Sequence, residues 1–377
     1  MDALLAPAVG TAPIPGPTWL FHTLLVFTFF LHALFMNLTL GGTVMAALLQ
    51  LRSRGRSADV RTVLATRLMS LNTWAVFFAV TTGVAPLLFI QVLYRRYVPS
   101  GDLVYAWGWL AMLALLGAGY GAAWLYQRRG APARGFGGTA WLVGSAVLFL
   151  FLAMVHVAES LIHLRPHQWT GLARSPWEIL ADPTYLPRLV HILLGAIAFS
   201  ALVVTWLAVR QVRQGRLVAL NERVARQGWV WAMWSICLLV LDGVVLLTVL
   251  PGPVLDGLMG AGPAALLPLG LALILGIGPL ALLARAENPA ATPGLVAGSL
   301  AALVAAIAAM AVVRHEVRIL YLRPAGLGAA PMQAVAWGDF ALFAAVLTAI
   351  LIAAFLTVRR ALGQRGGQRA GEVGSLG

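Results

Sequence analysis

The chain alternates long apolar runs with short polar loops along almost its whole length. The first run, from Trp19 to Gln50, carries no charged side chain, and a helix needs only about 20 apolar residues to cross a bilayer. Hydropathy read in windows of spanning length predicts about nine such helices. They lie near residues 19–50, 71–94, 103–126, 140–162, 186–209, 228–250, 263–284, 294–317 and 339–358. The pattern predicts an all-α fold, a polytopic membrane helical bundle.

The composition supports membrane insertion and divides the chain into three segments. Hydrophobic residues make up 60% of the 377 residues and charged residues 10%, against about a quarter charged in soluble domains. Residues 1–18 are rich in proline, glycine and alanine and lack the basic start of a signal peptide. We predict a periplasmic segment there, a transmembrane bundle over residues 19–358 and a cytoplasmic tail over residues 359–377.

The 26 basic residues are all arginine and give a formal net charge of +13. A charge of this size suggests nucleic acid binding until the arginines are placed along the chain. They cluster in alternate loops, near residues 52–67, 128–134, 210–226 and 285, and in the tail after residue 358. The positive-inside rule then places the N-terminus outside and the C-terminus in the cytoplasm. We expect a multi-pass protein of a bacterial inner membrane, surrounded by lipid and without a nucleic acid partner.

Six of the seven histidines fall in the predicted outer half of the bundle. They are His22, His156, His163, His167, His191 and His315. The seventh, His32, lies roughly 15 Å deeper than His22, because each helical residue advances 1.5 Å. An ionisable side chain inside a span is costly and marks a functional site by default. The clustering therefore predicts a site on the outer side of the membrane.

Histidines from facing helices suit haem iron, which takes two axial side chains in a low-spin cytochrome. His156 and His191 lie at similar depth on consecutive antiparallel spans, so we predict them as an axial pair. His22 is expected to meet His163 or His315 in the same layer. The chain has no C-x-x-C-H motif for covalent haem, which favours haem b. The predicted haem-binding side chains are His22, His32, His156, His163, His191, Met310 and His315, with His32, His156 and His191 as iron ligands.

Other polar residues lie close to these histidines. Arg188, Arg314 and Arg318 suit haem propionates, since the guanidinium fork pairs with carboxylates, or they snorkel to the interface. Glu159 and Asp242 are predicted catalytic acids that accept protons from quinol. For Asp242 a hydrogen bond in helix packing is an equal alternative. The same packing role, through a neighbouring carbonyl, is the alternative for any single histidine.

Three short segments stand out among the apolar spans. They read H-A-L-F-M-N-L-T-L-G from His32 to Gly41, D-P-T-Y-L-P-R-L-V-H ending at His191, and W-G-D-F-A-L-F from Trp337 to Phe343. They resemble H-F-L-F-V-P-L-T-L-G, N-P-x-x-Q-x-K-F-V-H and V-G-D-L-L-F in the large, haem-carrying subunit of the cytochrome bd quinol oxidases. The resemblance implies a layout of nine spans, with His191 as ligand of a low-spin haem b.

The chain departs from that family where the family carries out its oxygen chemistry. The family's third helix contains glutamates that serve the oxygen site, whereas residues 103–126 hold no acid. A haem-ligating glutamate of the eighth helix and a methionine of the seventh are also missing. We expect Met310 or His315 to replace the glutamate and His156 to replace the methionine. The loop that binds quinol after the sixth span is short here. The resemblance implies a divergent member without the oxygen-site acids.

These features predict a membrane-bound b-type cytochrome within a respiratory electron-transfer complex. It carries electrons between the quinone pool and a periplasmic redox partner, such as a c-type cytochrome or another redox subunit. Its cofactors are one or more haem b groups, with quinone or quinol as a bound partner. Low-spin ligation fills both axial positions of the iron and favours electron transfer over oxygen binding. A role as a quinol-oxidising or quinone-reducing oxidoreductase subunit stays open.

Three alternatives compete with this prediction. The first is a working bd-like terminal quinol oxidase subunit, against which the missing acids argue. The second is a non-haem membrane anchor subunit of an electron-transfer complex. The third is a transporter with a metal site at His156, Glu159 and His163, whose H-x-x-E-x-x-x-H spacing on one helix face suits zinc or iron.

Overall fold

The computed structural model describes residues 16–53, 59–94, 97–128, 136–260, 263–325, 336–346, 348–349 and 352. These ranges are helical and contain no β-strand. The α-helices are α1 (Thr18–Ser53), α2 (Val60–Tyr94), α3 (Tyr97–Val104), α4 (Ala106–Arg128), α5 (Phe136–Leu164), α6 (Trp169–Leu172), α7 (Tyr185–Arg213), α8 (Val218–Thr248), α9 (Gly252–Gly260), α10 (Pro263–Ala284), α11 (Pro293–Leu322) and α12 (Trp337–Val346). Short 3-10 helices cover Pro166–Gln168, Pro176–Ala181 and Arg323–Ala325.

Eight of the described helices are long and apolar enough to cross a membrane. They are α1, α2, α4, α5, α7, α8, α10 and α11. The predicted all-α membrane bundle is thereby confirmed. The ninth predicted span, residues 339–358, overlaps the shorter helix α12 and otherwise falls mostly outside the described residues. The orientation of the termini stays a prediction from the arginine distribution.

Several helices extend well beyond the apolar runs that predict them. Helix α2 begins at Val60 and α8 at Val218, about ten residues before the hydropathy limits. These added turns carry arginines, such as Arg61 and Arg223. Hydropathy detects only the part of a helix that lies in hydrocarbon, while the helix itself continues into water. The third predicted span divides differently, because a turn at Tyr105 separates the short helix α3 from α4.

The chain forms two compact units. The larger contains His22–Ala330 and with it every predicted site residue. In this unit α7 packs along α8, α10 along α11 and α4 along α5. The smaller unit combines Thr11–Phe21 with Pro331–Gly377, where α12 is the described helix.

Small and polar residues join α1 to α2 and α7. The Ser200 hydroxyl of α7 donates to the Asn37 carbonyl of α1 over 3.1 Å. The Asn72 amide of α2 donates to the Thr43 hydroxyl over 2.6 Å. Such close, hydrogen-bonded contacts hold helices together where lipid removes the hydrophobic driving force. They fix the register of the helices that carry His32 and His191.

Gly41 is the closest point between α1 and α7, and the fold depends on its missing side chain. A Cβ added there would lie 2.0 Å from the Ala196 carbonyl oxygen, which is part of the backbone and cannot turn aside. We expect Gly41→Ala to separate the two helices, at a cost of about 3 kcal/mol or more. The amount of monodisperse protein after detergent extraction, measured by fluorescence-detected size exclusion, should fall severalfold.

The adjacent glycine supplies the matched control. A Cβ at Gly42 would have the Ser200 Oγ as its nearest atom, at 3.7 Å, which is ordinary van der Waals contact. Gly42→Ala should therefore extract like the unaltered protein. Equal recovery of the Gly41 and Gly42 variants would contradict the close approach of α1 and α7.

Candidate functional site

His191 lies near the start of α7 and faces Asp242 of α8. The His191 Nδ1 donates a hydrogen bond to the Asp242 Oδ2 over 3.1 Å. Metal-bound histidines commonly donate one ring nitrogen to a carboxylate, which fixes the ring and leaves the other nitrogen for the metal. The described residues provide no hydrogen-bond partner for the His191 Nε2. The arrangement is suited to iron ligation, with Asp242 orienting the ligand.

His32 projects from α1 against the backbone of α2. Its Nδ1 donates to the Ala79 carbonyl over 2.8 Å. Gly83 makes room for the ring, since a Cβ there would lie 2.8 Å from the Nδ1. The bond is the one expected of a packing histidine, and it is also a bond that orients an imidazole for ligation through Nε2. The hydrogen bond to the Ala79 carbonyl is therefore consistent both with a packing role for His32 and with a role as iron ligand.

His156 of α5 lies near side chains of α1 and α11. It interacts electrostatically with His32 and with Arg314. Its Nδ1 lies 3.7 Å from the Glu159 Oε2, beyond hydrogen-bond distance. The imidazole of His156 makes no ring contact with that of His191. Three helices thus place His32, His156 and Arg314 in one neighbourhood.

The structure brings His22 of α1 to His315 of α11. The His22 Nδ1 and the His315 Nε2 are 2.9 Å apart, and the ring centroids are 4.9 Å apart. Two imidazoles on opposite faces of one iron would hold their nitrogens about 4 Å apart, because each metal–nitrogen bond is about 2.0 Å. The observed pair is a direct hydrogen bond. In this arrangement the two imidazoles do not lie on opposite sides of an iron.

Arg188, Arg314 and Arg318 lie half-buried on the same side of the bundle. Within the described part of the chain, none of the three has a carboxylate within 4.0 Å. Their hydrogen bonds go to neutral hydroxyls instead. Arg314 donates to the Ser160 Oγ over 3.3 Å, and Arg188 donates to the Thr184 Oγ1 over 3.2 Å. Guanidinium groups removed from water are stabilised by an anion, so this region is suited to one.

Several buried polar atoms beside these arginines lack a hydrogen-bond partner. They are the hydroxyls of Tyr97 and Tyr321 and the His315 Nδ1. Arg318 interacts electrostatically with Tyr97 and His315, and the Arg188 guanidinium lies 5.9 Å from the Tyr321 ring. Buried polar groups in native proteins are normally hydrogen-bonded. The surplus of donors again indicates an anionic ligand.

Both ring nitrogens of His163 are engaged by neighbouring groups. The Nδ1 lies 3.0 Å from the Glu159 Oε1 and 3.0 Å from the Glu159 carbonyl oxygen. The Nε2 lies 3.2 Å from the Asp102 Oδ1. Sequence reasoning missed Asp102, because it precedes the third apolar run and looks like a loop residue. The short helix α3 places Asp102 next to α5. The only signal for it in the sequence is an acidic residue directly before an apolar span.

Met310, the remaining predicted ligand, lies half-buried on α11. The contacts of the described residues do not join its sulfur to a predicted histidine. Its predicted role as a haem ligand stays a prediction.

Asp182 organises the predicted outer end of α7, ahead of His191. Its Oδ1 accepts hydrogen bonds from the Thr184 N and Oγ1, at 2.8 and 2.6 Å, and its Oδ2 accepts one from the Arg165 Nε, at 2.9 Å. Burial by itself raises the pKa of the Asp182 carboxyl. The Thr184 hydrogen bonds and the Arg165 guanidinium outweigh burial, so the pKa is lowered. Asp182 thus holds the turn that leads into α7 and joins it to Arg165.

The contacts of the Asp182 carboxylate make stability depend on pH. Because the folded-state pKa of Asp182 is below its ordinary value of 3.8, its stabilisation is complete above that value and disappears as the pH falls through the lowered pKa. We expect Asp182→Ala to cost about 2 kcal/mol at neutral pH. Thermal unfolding of the variant and the unaltered protein, measured at pH 7 and in acid, should differ most at pH 7. A difference that grows in acid would contradict the assignment.

Comparisons with known proteins identify the fold. No family model matches the chain, and no curated protein matches it. Among solved structures it is similar to a chain of the bd oxidase from Geobacillus thermodenitrificans, with a TM-score of 0.68 and 14% sequence identity. The alignment covers 93% of this chain and 98% of that chain. The resemblance predicted from three short segments is therefore confirmed at the level of the fold.

Proposed function

We propose that this protein is a b-type cytochrome subunit of a bacterial inner membrane. It carries electrons between the quinone pool and a redox partner at the outer face, such as a periplasmic c-type cytochrome. The similar structure belongs to a bd oxidase, which supports a redox role. The observation that carries the proposal is the hydrogen bond from the His191 Nδ1 to Asp242, with no partner for the Nε2 among the described residues. In the same part of the chain, Arg188, Arg314 and Arg318 have no carboxylate within 4.0 Å.

The residues present fit a haem. A neutral, oriented imidazole is the usual haem ligand, and His191, His32 and His156 are the candidates for iron. Arg188, Arg314 and Arg318 would hold the propionates, because they provide charge and donors and have no carboxylate within 4.0 Å among the described residues. Glu159 interacts electrostatically with Arg314 and Arg318 from a longer distance. When bound, haem b supplies one-electron transfer. The protein's part is to fix the imidazoles, neutralise the propionates and exclude water from the bundle interior.

Quinol oxidation releases protons together with electrons, and the protein must accept them. Glu159 is the better candidate, because only its Oε1 faces a histidine at short range, 3.0 Å from the His163 Nδ1, while its Oε2 lies 3.7 Å from the His156 Nδ1 and makes no hydrogen bond among the described residues. Asp242 is engaged by His191, which favours a positioning role. We therefore assign proton acceptance to Glu159 and ligand orientation to Asp242.

Spectroscopy of the purified protein tests this proposal directly. The protein should be produced with added haem precursor, and its haem content measured as the pyridine haemochrome. Reduced-minus-oxidised spectra should show a low-spin b-type band that is reduced by a quinol. Absence of any haem b after supplementation would exclude the cytochrome and leave a non-haem anchor subunit.

A bd-like terminal oxidase is the second candidate, because the similar structure belongs to a bd oxidase. It requires a haem with an open axial position for oxygen. Helix α4 (Ala106–Arg128) contains no aspartate or glutamate to supply protons at such a site. Oxygen consumption with quinol, together with carbon monoxide binding to the reduced protein, separates the two functions. The electron carrier should show neither, whereas the oxidase should show both.

A further inference from the structure

We propose that Asp102, Glu159 and His163 form a binding site for a divalent first-row transition metal ion such as Zn²⁺. The site lies between α3 and α5 and does not depend on haem. Each residue offers one ligand atom, and these atoms lie within 4.8 Å of one another. One histidine and two carboxylates are a common donor set for zinc, iron or manganese.

The distances between the ligand atoms fit a small ion. Around a tetrahedral zinc with bonds of about 2.0 Å, neighbouring ligand atoms are about 3.3 Å apart. The His163 Nε2 is 3.2 Å from the Asp102 Oδ1, and the His163 Nδ1 is 3.0 Å from the Glu159 Oε1. These are the two different nitrogens of one ring, so an ion bound at the Nε2 requires the Glu159 carboxylate to turn away from the Nδ1. The candidate ligand atoms lie within 4.8 Å of one another. The Val98 carbonyl oxygen, 3.3 Å from the Nε2, completes a set of four.

Surrounding groups hold these ligands in place. The His163 Nδ1 also faces the Glu159 backbone carbonyl at 3.0 Å, a bond that orients the ring and leaves the Nε2 for metal. The Trp109 indole donates to the Asp102 Oδ1 over 2.9 Å. Such outer hydrogen bonds are typical of metal sites and raise their affinity. Gly101 allows α3 to approach, since a Cβ there would lie 2.7 Å from the His163 ring.

Charge and access also favour a cation. A metal ion must displace the imidazole proton, after which two carboxylates and a neutral imidazole carry a charge of about −2 that a divalent ion balances within the bundle. Asp102 also lines an open surface groove of about 670 Å³ with Gln91, Trp109 and apolar side chains, so this ligand is reached from the surface. Coordination through the Glu159 Oε1 leaves its Oε2 directed towards His156. The ion would fasten α3 to α5 at the predicted outer surface.

The sequence pattern H-x-x-E-x-x-x-H predicts a different set, with His156 as the third ligand. The structure places the His156 Nδ1 3.7 Å from the Glu159 Oε2, on the other carboxylate oxygen from His163. Asp102 takes that position instead. Coordination thus joins two helices rather than two turns of one helix.

Metal titration of the full-length protein in detergent tests the proposal. Chelator-treated protein should bind one Zn²⁺ per chain by calorimetry, and Co²⁺ should give the intense visible absorption of tetrahedral coordination. Asp102→Asn keeps an oxygen for the Trp109 hydrogen bond but removes the charge. We expect it to weaken binding at least tenfold, and His163→Ala to abolish it. The melting temperature of the unaltered protein should rise on metal addition.

His167 provides the matched control, because it is exposed in the 3-10 helix that follows α5. His167→Ala should bind the metal as the unaltered protein does. Two results would overturn the proposal. One is the absence of saturable binding to the unaltered protein. The other is unchanged affinity in a monodisperse Asp102→Asn variant, which would leave His163 as a cation paired with two acids.

Discussion

Replacing His191 with alanine should remove a low-spin haem from the purified protein. The haem-to-protein ratio should fall by about one haem per chain, and the corresponding b-type band should disappear from the reduced-minus-oxidised spectrum. The reason is that a haem b is held mainly through its iron, and alanine offers no donor. Pyridine haemochrome analysis of monodisperse protein measures the effect. This is the largest change that we expect from a single side chain.

Two further variants show whether the loss is specific. Asp242→Asn should keep the haem but weaken its binding about 10- to 100-fold, because the outer carboxylate that orients the imidazole is lost. His167→Ala removes an exposed histidine and should leave the spectrum unchanged. A full haem complement in the His191 variant would remove His191 from the ligand set.

Gly83→Ala should displace His32, the second predicted iron ligand, without changing the imidazole itself. An added Cβ would lie 2.8 Å from the His32 Nδ1 and 2.9 Å from its Cε1, distances that real Cβ contacts do not sustain. The ring must move away from α2 and lose its hydrogen bond to the Ala79 carbonyl. We expect a loss of haem content at the His32 position, or a shift of its spectrum, comparable with that of His32→Ala.

A glycine in α4 is the control for this substitution. A Cβ at Gly121 would meet nothing within 4 Å, so Gly121→Ala should leave haem content and yield unchanged. If Gly83→Ala retained the spectrum of the unaltered protein while His32→Ala also did so, His32 would be a packing residue. The hydrogen bond to the Ala79 carbonyl would then be the only role of His32.

The arrangement of charge narrows the kinds of ligand that the bundle can accept. Arginines without carboxylates and buried donors without acceptors repel a cation on the α11 side. On the α3 side, acids flank His163 and favour a cation. One bundle therefore presents an anion-binding surface and a cation-binding surface, which are joined through Glu159 and its two histidine neighbours. This separation is why we assign haem and metal to different residues.

The class of the protein could be predicted without coordinates. Hydropathy places apolar runs, and eight of the nine predicted runs correspond to described helices of spanning length, because a membrane span must satisfy its backbone hydrogen bonds within itself. The depth of a residue follows from counting along a helix. That is how His22 and His315 could be expected in the same layer, where they share a hydrogen bond.

The partners of the site residues could not be predicted in the same way. The depth of a residue in the membrane does not determine how its helix is rotated about its own axis. This rotation decides which side chains meet. His191 therefore faces Asp242 rather than making a ring contact with His156. His163 meets Asp102, which no periodicity connects to α5.

The amino-acid order by itself determined a helical membrane protein, the positions of most of its spans and a group of histidines on one predicted side. These properties depend on local hydropathy and on charge near the ends of spans, both of which act along a single chain segment. The tertiary structure alone decided which carboxylate orients His191, which arginines lack an acid, and which groups surround His163. Those contacts arise from close packing at small residues: Gly41 lets the backbones of α1 and α7 approach, and Gly83 makes room for the His32 ring.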